Sequence, residues 1–154
     1  MAFSGTFDYT LDAKNRLTVP AKFRTSLTDA VVLAKGTEQC MTIWPKRDFE
    51  RFVAGALAGL HPISPEADRL KRYFFAGSFE TELDSAGRVM VPPRLMQHAG
   101  LSKDVVVNGM DDRIEVWDRE TWADYDADLD FATLARAVVP GAAFPATPAK
   151  DPFA

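Results

Sequence analysis

The residues of this sequence that are best suited to chemistry are an aspartate and an arginine four positions apart, and the pair occurs twice. Asp12 and Arg16 stand in LDAKNRLTVP, and Asp84 and Arg88 stand in LDSAGRVMVP. Matched carboxylates can share a proton and activate water. An aspartate can instead cap the amides of a turn. The arginine can bind phosphate or the edge of a guanine.

A hydrolase that uses Asp12 and Asp84 is the weakest of these alternatives. DSAGR has a slight resemblance to an aspartic-protease loop, but glycine does not directly follow the serine, and the first copy has DAK at this place. The sequence has no P-loop, no G-x-S-x-G element and no Cys/His spacing of a metal site. We therefore predict no catalytic residue, no metal, no cofactor and no small-molecule substrate.

The aspartates are predicted to organise turns. Asn15 and Gly87 occupy the same place in the two copies, and these residue types tolerate a left-handed backbone best. An exposed Asp–Arg pair adds only about 0–1 kcal/mol, so stability alone is a weak reason to repeat the phrase. We assign a turn-structural role to Asp12, Asp84 and Gly87.

The cations around the first copy favour contact with double-stranded DNA. An arginine on a two-stranded hairpin can reach guanine in the major groove, and neighbouring cations can hold phosphates. The second copy has Ala86 in place of Lys14 and carries Glu80 and Glu82 nearby, so the first copy is the better DNA-facing surface. The predicted DNA-binding residues are Arg16, Lys14, Lys22, Arg24, Asn15 and Arg88.

Both phrases belong to a longer internal repeat. The segment 3–23 aligns with 75–95 at a constant offset, and a second block from Val32 aligns with one further position added, which sets Gly36 opposite Gly109. We interpret this as tandem duplication of a unit of about 70 residues. Two similar half-domains would then pack about a pseudo-twofold axis.

Each unit is predicted to contain two hairpins. The first hairpin joins GTFDYTL to RLTVP through the turn DAKNR, because the apolar residues alternate on both sides of a polar turn. Pro20 and Pro92 then open short helices, and Gly100 is the expected C-cap of the second. The second hairpins join AVVLAKG to CMTIW and DVVVNG to RIEVW.

Longer helices complete the predicted elements. Apolar residues at helical spacing predict a helix from Pro45 to about Leu60, and Asp118 is the expected N-cap of a shorter one. A linking helix is predicted from Ser64 to about Phe75. Its cations are interpreted as a solvated face, with a nucleic-acid role as the less favoured alternative: Arg69, Lys71 and Arg72.

The predicted organisation is an α+β chain with units 1–72 and 73–139 and a disordered Pro-rich tail, 140–154. No apolar run approaches 18 residues, and the N-terminus lacks the basic and apolar parts of a signal peptide. The single cysteine, Cys40, has no internal disulfide partner and is expected in the core. These features predict a cytoplasmic protein that does not enter a membrane.

Charge is divided unevenly along the chain. The segment 1–72 carries eleven Lys and Arg against eight Asp and Glu, and the segment 73–154 carries seven against fourteen. The first segment therefore has a net charge of +3 and the second a net charge of −7. This difference indicates that they face different partners.

The doubled D-x-x-x-R phrase with its following V-P, and the two hairpins with a Gly and a later Trp, resemble the MraZ family over residues 1–139. The resemblance implies an internally duplicated AbrB-like swapped-hairpin β-barrel, of double-ψ type, with added helices. It also implies a nucleoid-associated homo-oligomer, commonly an octameric ring. In that family the arginine of the loop is associated with DNA contact, which maps onto Arg16 and, through the repeat, onto Arg88.

The resemblance implies a function as well. MraZ proteins are bacterial transcriptional regulators, generally repressors, that bind short direct repeats upstream of their own gene in the division and cell-wall cluster. An antitoxin-like protein of the same superfamily, using its acidic second half to cap a basic toxin, is the alternative binding module. A toxin gene beside this one, rather than cell-wall genes, would favour it.

Overall fold

The computed structural model describes residues 3–138, so the predicted tail, 140–154, lies outside the described residues. Eight strands and six α-helices are found in this range. The strands are β1 (Thr6–Thr10), β2 (Arg16–Thr18), β3 (Val31–Lys35), β4 (Met41–Pro45), β5 (Phe79–Thr81), β6 (Arg88–Met90), β7 (Asp104–Gly109) and β8 (Ile114–Asp118). The helices are α1 (Ala21–Arg24), α2 (Lys46–Leu57), α3 (Pro65–Lys71), α4 (Pro93–Ala99), α5 (Arg119–Ala127) and α6 (Phe131–Val138), and a π-helical turn, Arg72–Ala76, continues α3.

Of the described residues, those up to Thr121 form one compact unit and those from Trp122 belong to a second. The first unit contains an antiparallel six-stranded sheet of order β1-β7-β8-β4-β3-β5 and a separate two-stranded ladder of β2 and β6. Both combine strands from the two halves of the sequence. The α+β class predicted from the sequence is confirmed.

The second hairpin of each repeat is confirmed, because β3 pairs with β4 and β7 pairs with β8 in antiparallel register. The first hairpins are wrong as predicted. β1 pairs with β7 instead of β2, and β5 pairs with β3 instead of β6. The chain does reverse at the two turns, but the strands on either side of each turn then separate.

The separation begins directly beside the turn. The amide of Asp12 donates to the carbonyl of Arg16 at 3.1 Å, which closes the turn. The preceding residue, Leu11, already donates its amide to the carbonyl of Lys103 at 2.8 Å. Alternating apolar residues predict that a strand has a buried face, but they do not identify its partner.

The six-stranded sheet is buried on both faces at β3 and β4. Side chains alternate across a strand, so Val31 and Leu33 enter the main core while Val32 and Ala34 enter a second apolar cluster. The second cluster is formed with α2 and the π-helical turn, where Phe49, Val53 and Phe74 are buried. The main core includes residues of the ladder, which fixes the ladder against the sheet.

The helix predictions are largely confirmed. Pro20 and Pro92 immediately precede α1 and α4, and Gly100 ends α4 in the left-handed conformation with φ of 61°. The hydroxyl of Ser64 accepts from the amide of Ala67 at 3.2 Å and caps α3. The helix predicted to reach about Leu60 ends at Leu57 instead, where Ala58 is already extended.

The second unit contains the end of α5 and the whole of α6. Asp130 caps α6 by accepting from the amide of Thr133 at 3.3 Å, and it also accepts from the hydroxyl of Thr133 at 2.6 Å. The hydroxyl bond is the main cause that lowers the pKa of Asp130. Phe131, Leu134 and Val138 are exposed along α6. This helix was not predicted from the sequence, although Asp130 followed by apolar residues at helical spacing was a usable signal.

Candidate nucleic-acid interface

The first D-x-x-x-R turn is built around the carboxylate of Asp12. Its Oδ1 atom accepts from the backbone amides of Lys14 and Arg16, both at 2.9 Å, and its Oδ2 atom accepts from Nε of Arg16 at 2.6 Å. Asn15 has φ of 57° and donates its amide to the carbonyl of Asp12. One side chain therefore holds both the backbone of the turn and the guanidinium of Arg16.

The second turn repeats this geometry. Oδ1 of Asp84 accepts from the amides of Ala86 and Arg88, and Oδ2 accepts from Nε of Arg88, all at 2.9 Å. Gly87 stands where the first turn has Asn15, and its φ is 75°. Asn and Gly are the residue types that adopt this left-handed backbone most readily, so both turns fold from their local sequence.

The hydrogen bonds at each turn favour the charged carboxylate. The amide of Arg16, its guanidinium and the amide of Lys14 lower the pKa of Asp12 from 3.8 to about 2. The amide and guanidinium of Arg88 lower the pKa of Asp84 in the same way. Two carboxylates that share a proton raise one pKa, so this arrangement gives a catalytic pair no support.

The ladder joins the two turns and sets the faces of their side chains. Its antiparallel register pairs Arg16 with Met90, Leu17 with Val89, and Thr18 with Arg88. Because side chains alternate along a strand, the central pair points one way and the outer four residues point the other. The central pair is buried in the main core. We call the outer four, Arg16, Thr18, Arg88 and Met90, the ladder face.

Two further hydrogen bonds tie each turn to the opposite strand. The amide of Val19 donates to the carbonyl of Gly87, and the amide of Val91 donates to the carbonyl of Asn15, both at 2.9 Å. Each turn is thereby fixed to the residues that follow the other turn. At the usual rise along a strand, the turn positions 15 and 87 lie about 13 Å apart along the ladder.

The arginines of the ladder face are held in direction but keep free donors. The side chains of Arg16 and Arg88 are 29% and 33% exposed, and each is paired to its turn aspartate through Nε. Among the described residues, their terminal amino groups make no hydrogen bond. A guanidinium held in this way can present these two groups to an external acceptor.

The other predicted cations lie in different surroundings. Lys14 is exposed at the first turn. The ammonium of Lys22 lies over the rings of Phe7 and Phe23, 5.2 and 5.5 Å from their centroids. A cation over aromatic faces is stabilised there but remains accessible to an anion.

Arg24 is directed toward the second turn rather than the first. Its Nε donates to the carbonyl of Val19 at 2.9 Å. A Cβ atom built on Gly87 would lie 2.4 Å from the same Nε, so the absence of a side chain at Gly87 allows Arg24 to pack there. This contact was not predicted from the sequence, because it depends on the pairing of β2 with β6.

Thr18 and Met90 were not predicted as members of the ladder face. Met90 is 57% exposed. The alternation in RLTVP and RVMVP signals that Thr18 and Met90 lie on the same side of their strands as Arg16 and Arg88, opposite to the buried residues. The cross-strand register then pairs Thr18 with Arg88 and Met90 with Arg16.

Three further features of residues 3–138 bear on metal, membrane and thiol chemistry. Within this range no three His, Cys, Asp or Glu side chains are grouped so as to hold a metal ion. None of the helices described there has the length and apolar character needed to cross a membrane. Cys40 is buried next to Glu115, and burial raises the pKa of its thiol.

Comparison with known sequences gives a consistent family match. The model of the family described as "MraZ protein, putative antitoxin-like" matches residues 2–72 and again residues 74–138. Its two matched segments together cover most of the chain.

Individual relatives agree with that match. A protein of Thermobifida fusca (strain YX) named Transcriptional regulator MraZ is 42% identical over 142 residues, which cover 90% of this chain and 98% of that protein. A protein of the same name from Clostridium tetani is 37% identical over 86% of this chain and 94% of its own length. Another, from Lachnoclostridium phytofermentans, is 42% identical over 78% of this chain and 84% of its own length.

Proposed function

This chain belongs to the MraZ family, and on that premise we propose that it is a DNA-binding transcriptional regulator. The observation that carries the proposal is the ladder face, where Arg16 and Arg88 are each aligned by a turn aspartate. Their terminal amino groups match the O6 and N7 acceptors that guanine presents in the major groove. The relatives named Transcriptional regulator MraZ support this direction.

The fold that we propose is an internally duplicated, AbrB-like swapped-hairpin β-barrel with added helices, whose repeat units are 1–72 and 73–139. The ladder supports it, because Leu17 lies opposite Val89, its own counterpart in the second repeat. The flanking pairs, Arg16 with Met90 and Thr18 with Arg88, exchange under the same alignment. A pseudo-twofold axis would pass between the two central residues.

The six-stranded sheet supports the same duplication and corrects the alignment of the two repeats by one position. Tyr9 of β1 lies opposite Val105 of β7. Thr81 of β5, the counterpart of Tyr9 in the second repeat, lies opposite Val31 of β3. The counterpart of Val105 in the first repeat is therefore Val31, whereas the sequence alignment had set Val32 there.

The second hairpins agree with this shift: Val32 lies opposite Trp44, and Val106 lies opposite Trp117. This one-position shift ends after the turns of the second hairpins. The turn between β3 and β4 contains five residues, and the turn between β7 and β8 contains four. The alignment that set Gly36 opposite Gly109 is thus one position out. The sequence alone did not reveal that the turn between β3 and β4 is one residue longer than the turn between β7 and β8.

In this proposal Arg16 reads a base, while Asn15 and Lys14 lie at the tip of the same turn and contact the backbone. Lys22 and Arg24 supply further positive charge, although they lie away from that tip. Arg88 makes the equivalent contact from the second repeat, where Ala86 replaces Lys14. The first turn is therefore the stronger contact.

The assembly and target that we propose follow from the family. The chain forms a ring of identical subunits, commonly eight, binds direct repeats upstream of its own gene, and represses the division and cell-wall gene cluster. It acts in the cytoplasm at the nucleoid. A ring needs a heterologous interface whose rotation closes, and it gives several weak turns a high effective concentration on one duplex.

The decisive experiment compares Arg16→Ala with the wild-type protein in a gel shift at fixed low salt, using the DNA upstream of the gene. We expect the variant to lose about 1–3 kcal/mol of binding free energy at the guanine it reads. Arg88→Ala is the matched variant, since its guanidinium makes the same bonds within the protein. Its loss should be smaller.

Light scattering must establish that each variant keeps the oligomeric state of the wild type. The site assignment is wrong if Arg16→Ala leaves affinity and salt dependence unchanged while the assembly persists. DNA binding itself is wrong if the wild-type protein does not distinguish its upstream DNA from a shuffled duplex.

An antitoxin role remains the second candidate, because the matched family is described as antitoxin-like. The acidic second half of the chain would then face a basic toxin. Co-expression with the product of a neighbouring gene is the test. Rescue of growth from a toxic neighbour, without DNA binding, would favour this role over regulation.

A further inference from the structure

We propose that Lys35, Arg72 and Arg94 form a groove that binds the DNA backbone beside the base contact of the first turn. We call these three residues the phosphate groove. The inference rests on the proposed function, because it names a second contact surface for the same duplex. It gives Arg72 the nucleic-acid role that was the less favoured alternative to a solvated face.

The groove is an open cavity of about 980 Å³ within the first unit. Its cations come from three elements, since Lys35 ends β3, Arg72 begins the π-helical turn and Arg94 lies in α4. Apolar side chains, including Phe79 and Leu95, form much of the wall. None of the lining residues is Asp or Glu, so the cavity carries positive charge without internal compensation.

The three cations are available to an anion. Within residues 3–138, none of them forms an ion pair with a carboxylate. Lys35 instead lies with its ammonium 5.2 Å from the ring centroid of Tyr73. By contrast, Lys46 pairs with Glu80 at 3.0 Å. Cations gathered in a concave, acid-free surface focus positive potential and attract phosphate.

The groove begins close to the first turn. The carbonyl of Asn15 accepts from the amide of Val91, and the next two residues, Pro92 and Pro93, line the groove together with Arg94. In this proposal, a DNA strand contacted by the tip of the first turn continues toward the groove. This proximity favours the DNA backbone over a free phosphorylated molecule.

A separate cavity borders the second turn and differs in charge. It is lined by Glu82 and Asp84, with Arg24 as its one cation. It is not the counterpart of the groove, because the repeat aligns Arg94 with Lys22 and Phe79 with Phe7. The counterpart is the place where Lys22 lies over Phe7 and Phe23, so both repeats carry a cation there.

A polar atom in the wall of the groove also lacks a partner. His98 lines the cavity, and its Nε2 atom is buried with no hydrogen-bond partner among the described residues. Buried polar atoms normally have a partner in the protein or an ordered water. A phosphate oxygen in the groove, bridged by water, would supply one.

The test measures DNA affinity against salt concentration for the double variant Arg72→Gln/Arg94→Gln. If both cations hold phosphates, the salt slope should fall by about 2, and affinity for specific and shuffled duplexes should fall by the same factor. Arg69→Gln/Lys71→Gln is the matched control, because it removes two charges from α3 outside the groove. Its slope should match the wild type.

Arg94→Lys should retain the slope, because a phosphate contact needs the charge more than the planar guanidinium. Thermal unfolding and light scattering must show that all variants keep fold and assembly. Absence of DNA binding by the wild type would overturn the proposed function itself. DNA binding with an unchanged slope in the Arg72/Arg94 variant would overturn the phosphate groove alone.

A final arm separates DNA from free phosphate. Inorganic phosphate is titrated into the protein without DNA, and the amide of Arg94 is followed by NMR. Weak binding that competes with DNA supports the groove as a backbone site. Tight phosphate binding that leaves DNA affinity unaffected would overturn it and assign the cavity to a free anion.

Discussion

At the scale of single residues, Asp12 and Arg16 have different roles within one motif. The carboxylate accepts from two amides and one Nε, so its role lies inside the protein. The arginine gives only Nε to this pair and keeps its terminal amino groups. The spacing of four residues is what allows one aspartate to hold both the turn and the arginine.

The depressed pKa of Asp12 makes a prediction about stability. A carboxyl group whose folded pKa is below its unfolded pKa stabilises the protein fully above the unfolded value, which is 3.8 for this group. That contribution decreases as pH falls below 3.8 and is lost at about pH 2. Asp12→Asn should therefore be less stable than the wild type at neutral pH, with a difference that narrows in acid.

Urea unfolding of both proteins across this pH range measures the difference directly. Asp84→Asn is the matched variant and should behave in the same way, because its carboxylate makes the same three bonds. A difference between wild type and Asp12→Asn that stays constant down to the acid limit would contradict the assignment, since it could not come from the charged carboxylate.

At the scale of elements, the ladder of β2 and β6 positions the site. It has only three residue pairs, so its rigidity depends on the burial of Leu17 and Val89 in the main core. Leu17→Ala should cost about 2–5 kcal/mol of unfolding free energy. Thr18→Ala, the neighbour on the ladder face, should cost about 0.5 kcal/mol or less. Urea denaturation of the two variants is the measurement.

Comparing these two variants also distinguishes a residue that supports the turns from a residue that contacts DNA. Thr18→Ala should keep the fold and alter only DNA binding. Leu17→Ala should weaken DNA binding because the ladder no longer anchors the two turns to the core. Equal costs for the two substitutions would mean that the ladder is not anchored through its buried pair. The faces inferred from the register would then need revision.

Much at this scale was predictable from sequence, because it is local. The turns depend on Asp, Asn and Gly at fixed spacing, and the short helices depend on Pro20 and Pro92. Strand partners are not local, so the pattern of β1 was correctly identified as a strand but assigned to the wrong neighbour. The same limit explains why Arg24 was grouped with the first turn, although the ladder directs it to Gly87.

The alignment error has a related cause. Val31 and Val32 are identical neighbours, so the sequence does not show which of them matches Val105, and a gap fits on either side of the strand. Only the hydrogen-bonded registers with β1 and β5 distinguish the two choices. The phosphate groove was equally out of reach, because its cations lie on three elements that are distant in sequence.

At the scale of the whole molecule, charge and assembly have to be considered together. The chain is acidic overall, with a formal net charge of −4, yet its segment 1–72 carries net +3. A single subunit therefore offers a small cationic surface on an acidic body, which predicts weak, salt-sensitive binding. The ring that we propose would present several such surfaces to one duplex and would compensate by effective concentration.

This leads to a prediction about DNA length and spacing. Duplexes carrying one, two or three copies of the direct repeat upstream of the gene should bind with increasing affinity, by up to about 10²–10⁴ in total. Insertion of half a helical turn between copies should abolish the gain, because the second site then faces away from the ring. Fluorescence anisotropy gives the affinities, and light scattering gives the mass of the free protein. A monomer in solution that binds one and three copies equally well would exclude multivalent reading by a ring. Single-site contacts at Arg16 would then have to account for all of the specificity.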